Sequence, residues 1–306
     1  EDRANKTGKP IERRIFPEGQ DQEKRLWDDL RWSRFKHKSP TEMFSIIGER
    51  VFPFLRELGE EGCTYEGHMK DARFTIPTGA LLSKVVDLLD AVPMQDRDTK
   101  GDIYEYMLGK LATAGTNGQF RTPRHIIKLM VELLDPKPDE IVGDPSAGTG
   151  GFLVETMQYL LEEHTSEEGI IEETDPETGK TEKIYTGDLL EDHRAHIRSK
   201  MFHGFDFDAT MLRIAAMNLM LHGVDDPDIH YQDTLSTGFS DKYSQAASEG
   251  FDVILANPPF KGSIDKGDIW EEAKISTTKT ELLFVDRIIQ LLNGLNFIKR
   301  YLILIT

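Results

Sequence analysis

"IVGDPSAGTGGF", residues 141–152, reads as a short apolar strand, a glycine-rich turn and the first turn of a helix. The run "GFLVETMQYLLEEH" that follows repeats apolar residues at helical spacing. Short apolar runs then alternate with helical stretches to the end of the chain: "MFHGFDFD", "ATMLRIAAMNLMLHG", "IHYQD", "FDVILANPP", "LLFVDRIIQLL" and "YLILIT". Strand and helix repeating in this way predict an α/β domain, a parallel sheet with helices on both faces. Residues 165–187, "TSEEGIIEETDPETGKTEKIYTG", interrupt the pattern. They are acidic and carry the turn "DPETGK", which predicts an inserted surface hairpin without function.

Upstream the periodicity is helical. "SPTEMFSIIGERVFPFLREL" opens with Ser39 as a candidate N-cap, Pro40 at the first helical position and Glu42 in the capping-box place. "GALLSKVVDLLDAV" and "DIYEYMLGKLA" continue the three-four spacing. The expected organisation is therefore an all-helical N-terminal domain over residues 1–115 and an α/β domain over residues 116–306. "KRLWDDLRWSRFKHK", residues 24–38, interleaves basic residues with Trp27, Trp32 and Phe35. It suits a nucleic-acid or partner contact, or more plainly an amphipathic helix docked by its aromatics.

Bulk properties limit the function classes. The chain has 306 residues, 38% of them hydrophobic, enough for a sizeable core. A formal net charge of −17 argues against a free-standing non-specific nucleic-acid binder, unless a partner supplies the phosphate contacts. The single cysteine, Cys63, excludes a disulfide framework and fits a reducing, cytoplasmic compartment. No apolar run approaches the roughly 20 residues of a spanning helix, and no signal-peptide pattern opens the chain. The final run stops inside a strand pattern, so the chain is expected to be a piece of something longer.

The glycine turn admits several ligand classes. A phosphate-binding loop needs Gly-Lys-Ser/Thr after the turn, and a dinucleotide fingerprint needs G-x-G-x-x-G; neither is present. Asp-x-x-x-Gly-x-Gly remains, with Asp144 at the strand end. A carboxylate there suits a cationic, phosphate-free cofactor carrying an ammonium group, such as S-adenosylmethionine; a plain tight turn is the bland alternative. The next strand ends in "GFDFD", where Asp206, with Asp208 as competitor, would accept from ribose hydroxyls. "YQDTL" places Asp233 at a third strand end, near a cofactor adenine.

"FDVILANPPFKGS", residues 251–263, ends a core strand with an amide, two prolines and an aromatic. Prolines cannot extend a ladder but hold backbone carbonyls rigidly. The Asn257 side-chain oxygen and the Pro258 carbonyl can accept from the two N–H groups of a nucleobase amine, localising its lone pair for attack on a methyl group. Pro259 stiffens this corner, and Phe260 offers a face on which a flipped-out base stacks. No metal is required. His193 and His196 in "EDHRAHIRSK" have metal-compatible spacing but no further ligand cluster, so a solvated helix face is the plainer reading.

"DPSAGTGGF", "DVILANPPF", "GQFRTPRHI" and "MNLMLHG" together resemble an S-adenosylmethionine-dependent adenine-N6 DNA methyltransferase, specifically the modification subunit of type I restriction–modification systems. The resemblance covers about residues 40–290. It implies a Rossmann-like catalytic domain after the helical one, acting on an adenine flipped out of DNA, with a specificity subunit and a restriction/translocase subunit as partners. By matched position, Gln119, Phe120, Arg121, Thr122, Pro123 and Arg124 should line the cofactor's methionine end. Ser146, Ala147, Gly148, Thr149 and Gly150 should wrap the cofactor with Asp144. Asp206 should take the ribose and Asp233 the adenine, and Glu281 to Phe284 ("ELLF") should line the pocket floor. After "IIQLL" the family continues with a Lys-Pro-Gly-Gly-like turn; here "NGLNFIKRYLILIT" departs from it, which implies a catalytic domain incomplete at its C-terminal end. Protein glutamine methyltransferases use the same Asn-Pro-Pro-aromatic corner and form the alternative. A catalytically idle cofactor-binding scaffold is the third reading.

Overall fold

The computed structural model describes residues 16–57, 64–91, 122–174, 181–224, 226–259, 262–292 and 300–303. The chain divides into two compact units, Glu1–Lys100 and Gly101–Thr306. The expected boundary at 115/116 and the expected helix in "DIYEYMLGKLA" lie outside the described residues, as does Cys63.

Helices make up the described part of the first unit, apart from one isolated bridge between Gln20 and Leu26. The Ser39 hydroxyl accepts from Glu42 N, and the Glu42 carboxylate accepts from Ser39 N, a reciprocal capping box that starts α1 (Pro40–Ile46). The Ser39 hydroxyl also donates to the Glu42 carboxylate, and this bond, with that from Ser39 N, holds the carboxyl below its ordinary range. The expected continuous helix instead widens into a π-turn over Ile47–Val51 before resuming at Phe52–Glu57. Pro53 has no N–H for the α-helical ladder, so local rewinding is the physical reason. Met43 and Ile47 pack with Leu82 and Val86 of α2 (Gly79–Asp90) and with Phe35.

In residues 24–38 two of the three aromatics are docked, Phe35 buried and Trp27 packed on Phe54, whereas Trp32 is exposed, its indole N–H donating to Asp90. Four of the segment's cations pair within the unit, Arg25 with Asp21, Arg31 and Arg34 with Asp28, and Lys36 with Asp90. The amphipathic-helix reading describes this segment, in two short helical pieces, Trp27–Leu30 and Trp32–Phe35.

The second unit holds a five-stranded sheet in the order β5-β4-β1-β6-β7, every pair parallel. The strands are β1 (Val142–Asp144), β4 (Phe202–Asp206), β5 (Asp228–Tyr231), β6 (Val253–Ala256) and β7 (Arg300–Ile303). Between β1 and β4 the predicted hairpin forms from β2 (Ile170–Thr174) and β3 (Thr181–Tyr185), which pair antiparallel. Its stem is fastened by Asp188, whose carboxylate accepts from the Ser166 N–H and hydroxyl.

Strand β6 shows why the sheet is covered on both sides. Val253 and Leu255 enter one core with α3 (Arg124–Leu134), α4 (Gly151–Glu163) and α5 (Ala209–Leu221). Ile254 and Ala256 enter the other, with Phe205, Phe251 and Ile288 of α6 (Thr280–Leu291). Side chains alternate across a strand, so an uninterrupted apolar run requires cover on both faces. Each large aliphatic side chain fully buried in this way contributes about 1.5–3 kcal/mol. Because all five strands run the same way, their C-terminal ends share one edge of the sheet, and the motifs singled out in the sequence follow those ends.

Candidate active site

Asp144 ends β1 and is only 1% exposed. Its Oδ1 accepts from Ser146 N at 3.0 Å. Burial pushes its pKa up to about 7, with the neighbouring Asp206 carboxylate adding to the rise. Asp206 ends β4, and its oxygens accept from Gly148 N and Asp208 N, each at 2.9 Å. Burial raises its pKa as well. Two N–H bonds leave a carboxylate with further lone pairs for a ligand hydroxyl. Asp208, the competitor, is the N-cap of α5, accepting from Thr210 N and Met211 N. The two acids therefore divide the work, one bracing the glycine turn and the other starting the helix.

The turn itself is held by its neighbours. Ala147 N donates to Phe205 O at 2.9 Å, and Asn218 Nδ2 on α5 donates to Thr149 O at 3.2 Å. Asn218 lies in "MNLMLHG", so the sequence signal was present but its structural job was not legible. Gly148 and Gly150 both have positive φ, +52° and +76°. A Cβ on Gly150 would meet the Ala215 Cβ at 3.2 Å, whereas one on Gly148 would meet nothing closer than Ser146 O at 4.0 Å. Gly150 thus serves packing, and Gly148 keeps the outer face of the turn open.

The β5 end carries Asp233, partly exposed, whose Oδ1 accepts from Leu235 N at 2.9 Å. Next to it the Thr234 hydroxyl donates to Pro145 O at 2.9 Å, tying this loop to the glycine turn. Phe207, beside Asp206, is 61% exposed at the strand ends. Composition offers no signal that separates it from a core phenylalanine; only its displacement past the end of β4 does.

Asn257 follows β6, with Pro258 buried and Pro259 exposed. Its Nδ2 donates to the Thr122 hydroxyl at 2.8 Å, across 135 positions of sequence. That contact joins "RTPR" to "NPPF" and engages the donor end of the amide, while the oxygen end is buried. Pro123 precedes α3, and the Arg124 guanidinium lies on α4, 3.1 Å from Gln158 Oε1 and 3.6 Å from Glu155 Oε2. Gln119, Phe120, Arg121 and Phe260 lie outside the described residues. Leu283 and Phe284 of "ELLF" are buried with Leu235 and Trp270, while Leu282 is exposed and Glu281 partly so.

The residues present fit a cofactor with an ammonium group and a ribose. The turn is open at Gly148, Asp144 is a buried carboxyl whose ionised form a cation would stabilise, and Asp206 keeps acceptor capacity. Among the described residues no cluster of His, Cys, Asp or Glu could hold a metal ion. His196 bonds Glu140 O at 2.9 Å instead. No helix of the described residues is long and apolar enough to cross a membrane.

Residues 95–294 match the family model of the N-6 DNA methylases. The type I restriction enzyme EcoEI methylase subunit of Escherichia coli is 29% identical, over 82% of this chain and 47% of its own length. The StySPI methylase subunit of Salmonella potsdam is 28% identical, over 87% and 46%. Among solved structures, a modification subunit ascribed to a type I restriction enzyme of Vibrio vulnificus YJ016 is 28% identical with a TM-score of 0.59, covering 79% of this chain and 46% of that one. The chain spans about half the length of the curated relatives it matches.

Proposed function

The chain belongs to the N-6 DNA methylase family, and on that premise we propose that it carries the catalytic centre of a type I modification subunit, methylating the N6 amine of adenine in DNA. The observation that carries the reading is the Thr122–Asn257 contact, which ties the amide to the sheet edge that also bears Asp144 and Asp206. With the hairpin set aside, the strand order becomes 3-2-1-4-5, part of a doubly wound, Rossmann-like sheet whose ligands bind beyond the strand ends.

S-adenosylmethionine, when bound, supplies an activated methyl group on a sulfonium. In this reading Asp144 faces its ammonium, Asp206 its ribose and Asp233 its adenine, with Phe207 as an apolar face beside the ring and the 146–150 turn wrapped around it. Gln119 to Arg124 line the methionine end, Thr122 from its place on Asn257. The Asn257 oxygen and the Pro258 carbonyl accept from the two N–H groups of the target amine, and Phe260 stacks on the extruded base. N6 gains the methyl and loses one proton, leaving S-adenosylhomocysteine. The proline pair fixes both acceptors before substrate arrives, so little reorganisation opposes the transfer.

Other chains supply DNA specificity and restriction. The net charge of −17 accords with that division, since the catalytic corner needs one extruded base rather than a long phosphate track. The helical first unit belongs with assembly of such a complex, and the compartment is the cytoplasm.

The test uses the full-length protein with its specificity partner, labelled S-adenosylmethionine and genomic DNA. Label should appear in DNA as N6-methyladenine. Label confined to protein would instead identify a glutamine-type substrate and reject this reading. Asn257→Ala should abolish transfer with cofactor affinity retained.

A further inference from the structure

Arg287 sits on α6 and is 3% exposed. Its Nε donates to Thr234 O at 2.9 Å. Its guanidinium lies between two rings, 4.6 Å from the Phe239 centroid and 5.1 Å from that of Trp270. Burial pushes its pKa down to about 10, which leaves it cationic at neutral pH. A buried cation held by a carbonyl and two ring faces, with the Glu272 and Asp286 carboxylates as nearby counter-charges, is still a costly way to stabilise a fold; an apolar side chain would fill the same volume. Its return is geometric, because a guanidinium stacked on rings has a fixed plane and a fixed donor direction.

That direction matters for what lies on the other side of the bond. Thr234 O and Leu235 N belong to one peptide plane. Arg287 holds the oxygen of that plane, and Asp233 Oδ1 accepts from its N–H at 2.9 Å. Pulling on the oxygen polarises the peptide and strengthens the N–H as a donor. Rotation of the plane would break both bonds together. The Thr234 hydroxyl, bonded to Pro145 O, anchors the same residue to the glycine turn.

We propose that Arg287 is a positioning residue for the base end of the cofactor site: by fixing the Thr234–Leu235 peptide it aims the Asp233 carboxylate at the cofactor's adenine amine. This rests on the role given to Asp233 above. The residue touches no reacting atom; it acts through one peptide, from a helix that neither the glycine turn nor the Asn-Pro-Pro corner belongs to.

The test measures equilibrium binding of S-adenosylhomocysteine and S-inosylhomocysteine to the full-length protein. The second ligand replaces the exocyclic amine by oxygen and turns ring N1 from an acceptor into a donor, so the ratio of the two affinities reports recognition of that base edge, and its change in Asp233→Ala gives the part that the Asp233 contact contributes. The wild-type protein should favour the adenosyl ligand by roughly 10-fold or more, the size of one charge-assisted hydrogen bond. Arg287→Met should bring that ratio close to unity while the inosyl ligand changes by no more than about 2-fold. Arg287→Lys keeps a cation within reach of the carbonyl and should recover part of the ratio; it also serves if the methionine variant does not fold. Parallel weakening of both ligands, or an unchanged ratio in the lysine and methionine variants, would overturn the proposal as a mere packing effect. Asp233→Ala separates the premise: if it leaves the ratio intact, Asp233 does not read the amine, and the assignment of Arg287 falls with it.

Discussion

Replacing Asp144 by asparagine tests the electrostatics of the cofactor site most directly. Burial and the Asp206 carboxylate lift Asp144 from 3.8 to about 7 in the free protein. An ammonium placed against it favours the ionised form, so binding is coupled to loss of the Asp144 proton. Below pH 7 affinity should therefore fall about tenfold per pH unit, reaching about 30-fold at pH 5.5. The ligand's own α-amino group is that of a free amino acid and titrates at about 9, above the peptide N-terminal range, so affinity should fall again above about pH 9. The wild-type profile is thus a bell with its maximum between about 7 and 9. An amide in place of the carboxyl does not titrate, so the acid limb should vanish: Asp144→Asn should bind more weakly at the optimum and stay nearly level from about pH 5.5 to 7.5. Calorimetric titration with S-adenosylhomocysteine in buffers of different ionisation enthalpy gives both the affinity and the proton released. A flat wild-type profile, or an equal acid limb in the variant, would refute the placement of the ammonium beside Asp144.

Three further outcomes follow from contacts described above. Thr122→Val removes the hydroxyl that receives Asn257 Nδ2; single-turnover methylation should slow by roughly 3- to 10-fold, the worth of one neutral hydrogen bond, with cofactor affinity unchanged. Gly204→Ala places a Cβ 2.7 Å from Ile229 Cδ1 and 3.0 Å from the Ala147 Cβ; urea unfolding should show a loss of about 1–3 kcal/mol, with weaker cofactor binding because Ala147 sits in the glycine turn. Asp228 accepts from His203 Nδ1 and His230 Nε2 at 2.6 and 2.5 Å, and although burial opposes it, these histidines draw its pKa below the ordinary value. A depressed carboxyl stabilises the fold above its unfolded pKa and loses that contribution as pH falls through the folded one. Asp228→Asn should therefore destabilise at pH 7, by roughly 1–2 kcal/mol after discounting for its partial exposure, and the difference from wild type should close in acid; a pH-independent difference would contradict the pairing.

The alternation of short apolar runs and helical stretches after residue 116 pointed to a parallel α/β sheet, because an uninterrupted apolar run needs cover on both faces and period-3.6 stretches supply it. The capping box at Ser39 and the hairpin at 170–185 were legible for the same local reason: three or four neighbouring residues contain all the partners. "GDPSAGTGG" and "NPPF" stood out as candidate site segments through backbone constraints that few other residues satisfy. The π-turn at Ile47–Val51 was not foreseen, since a helical pattern says where apolar residues recur and not how a missing N–H at Pro53 is absorbed.

What only the tertiary structure decided are bonds between segments far apart in the chain. No spacing rule pairs Thr122 with Asn257, Asn218 with Thr149, or Arg287 with the peptide behind Asp233. Asp206 was preferred in the sequence with Asp208 as its competitor; the end of β4 turns the first toward the glycine loop and leaves the second to cap α5. Local sequence chooses each element and its ends, but the direction in which a side chain points at a shared strand edge depends on how the strands register against one another, and that is a property of the packed sheet.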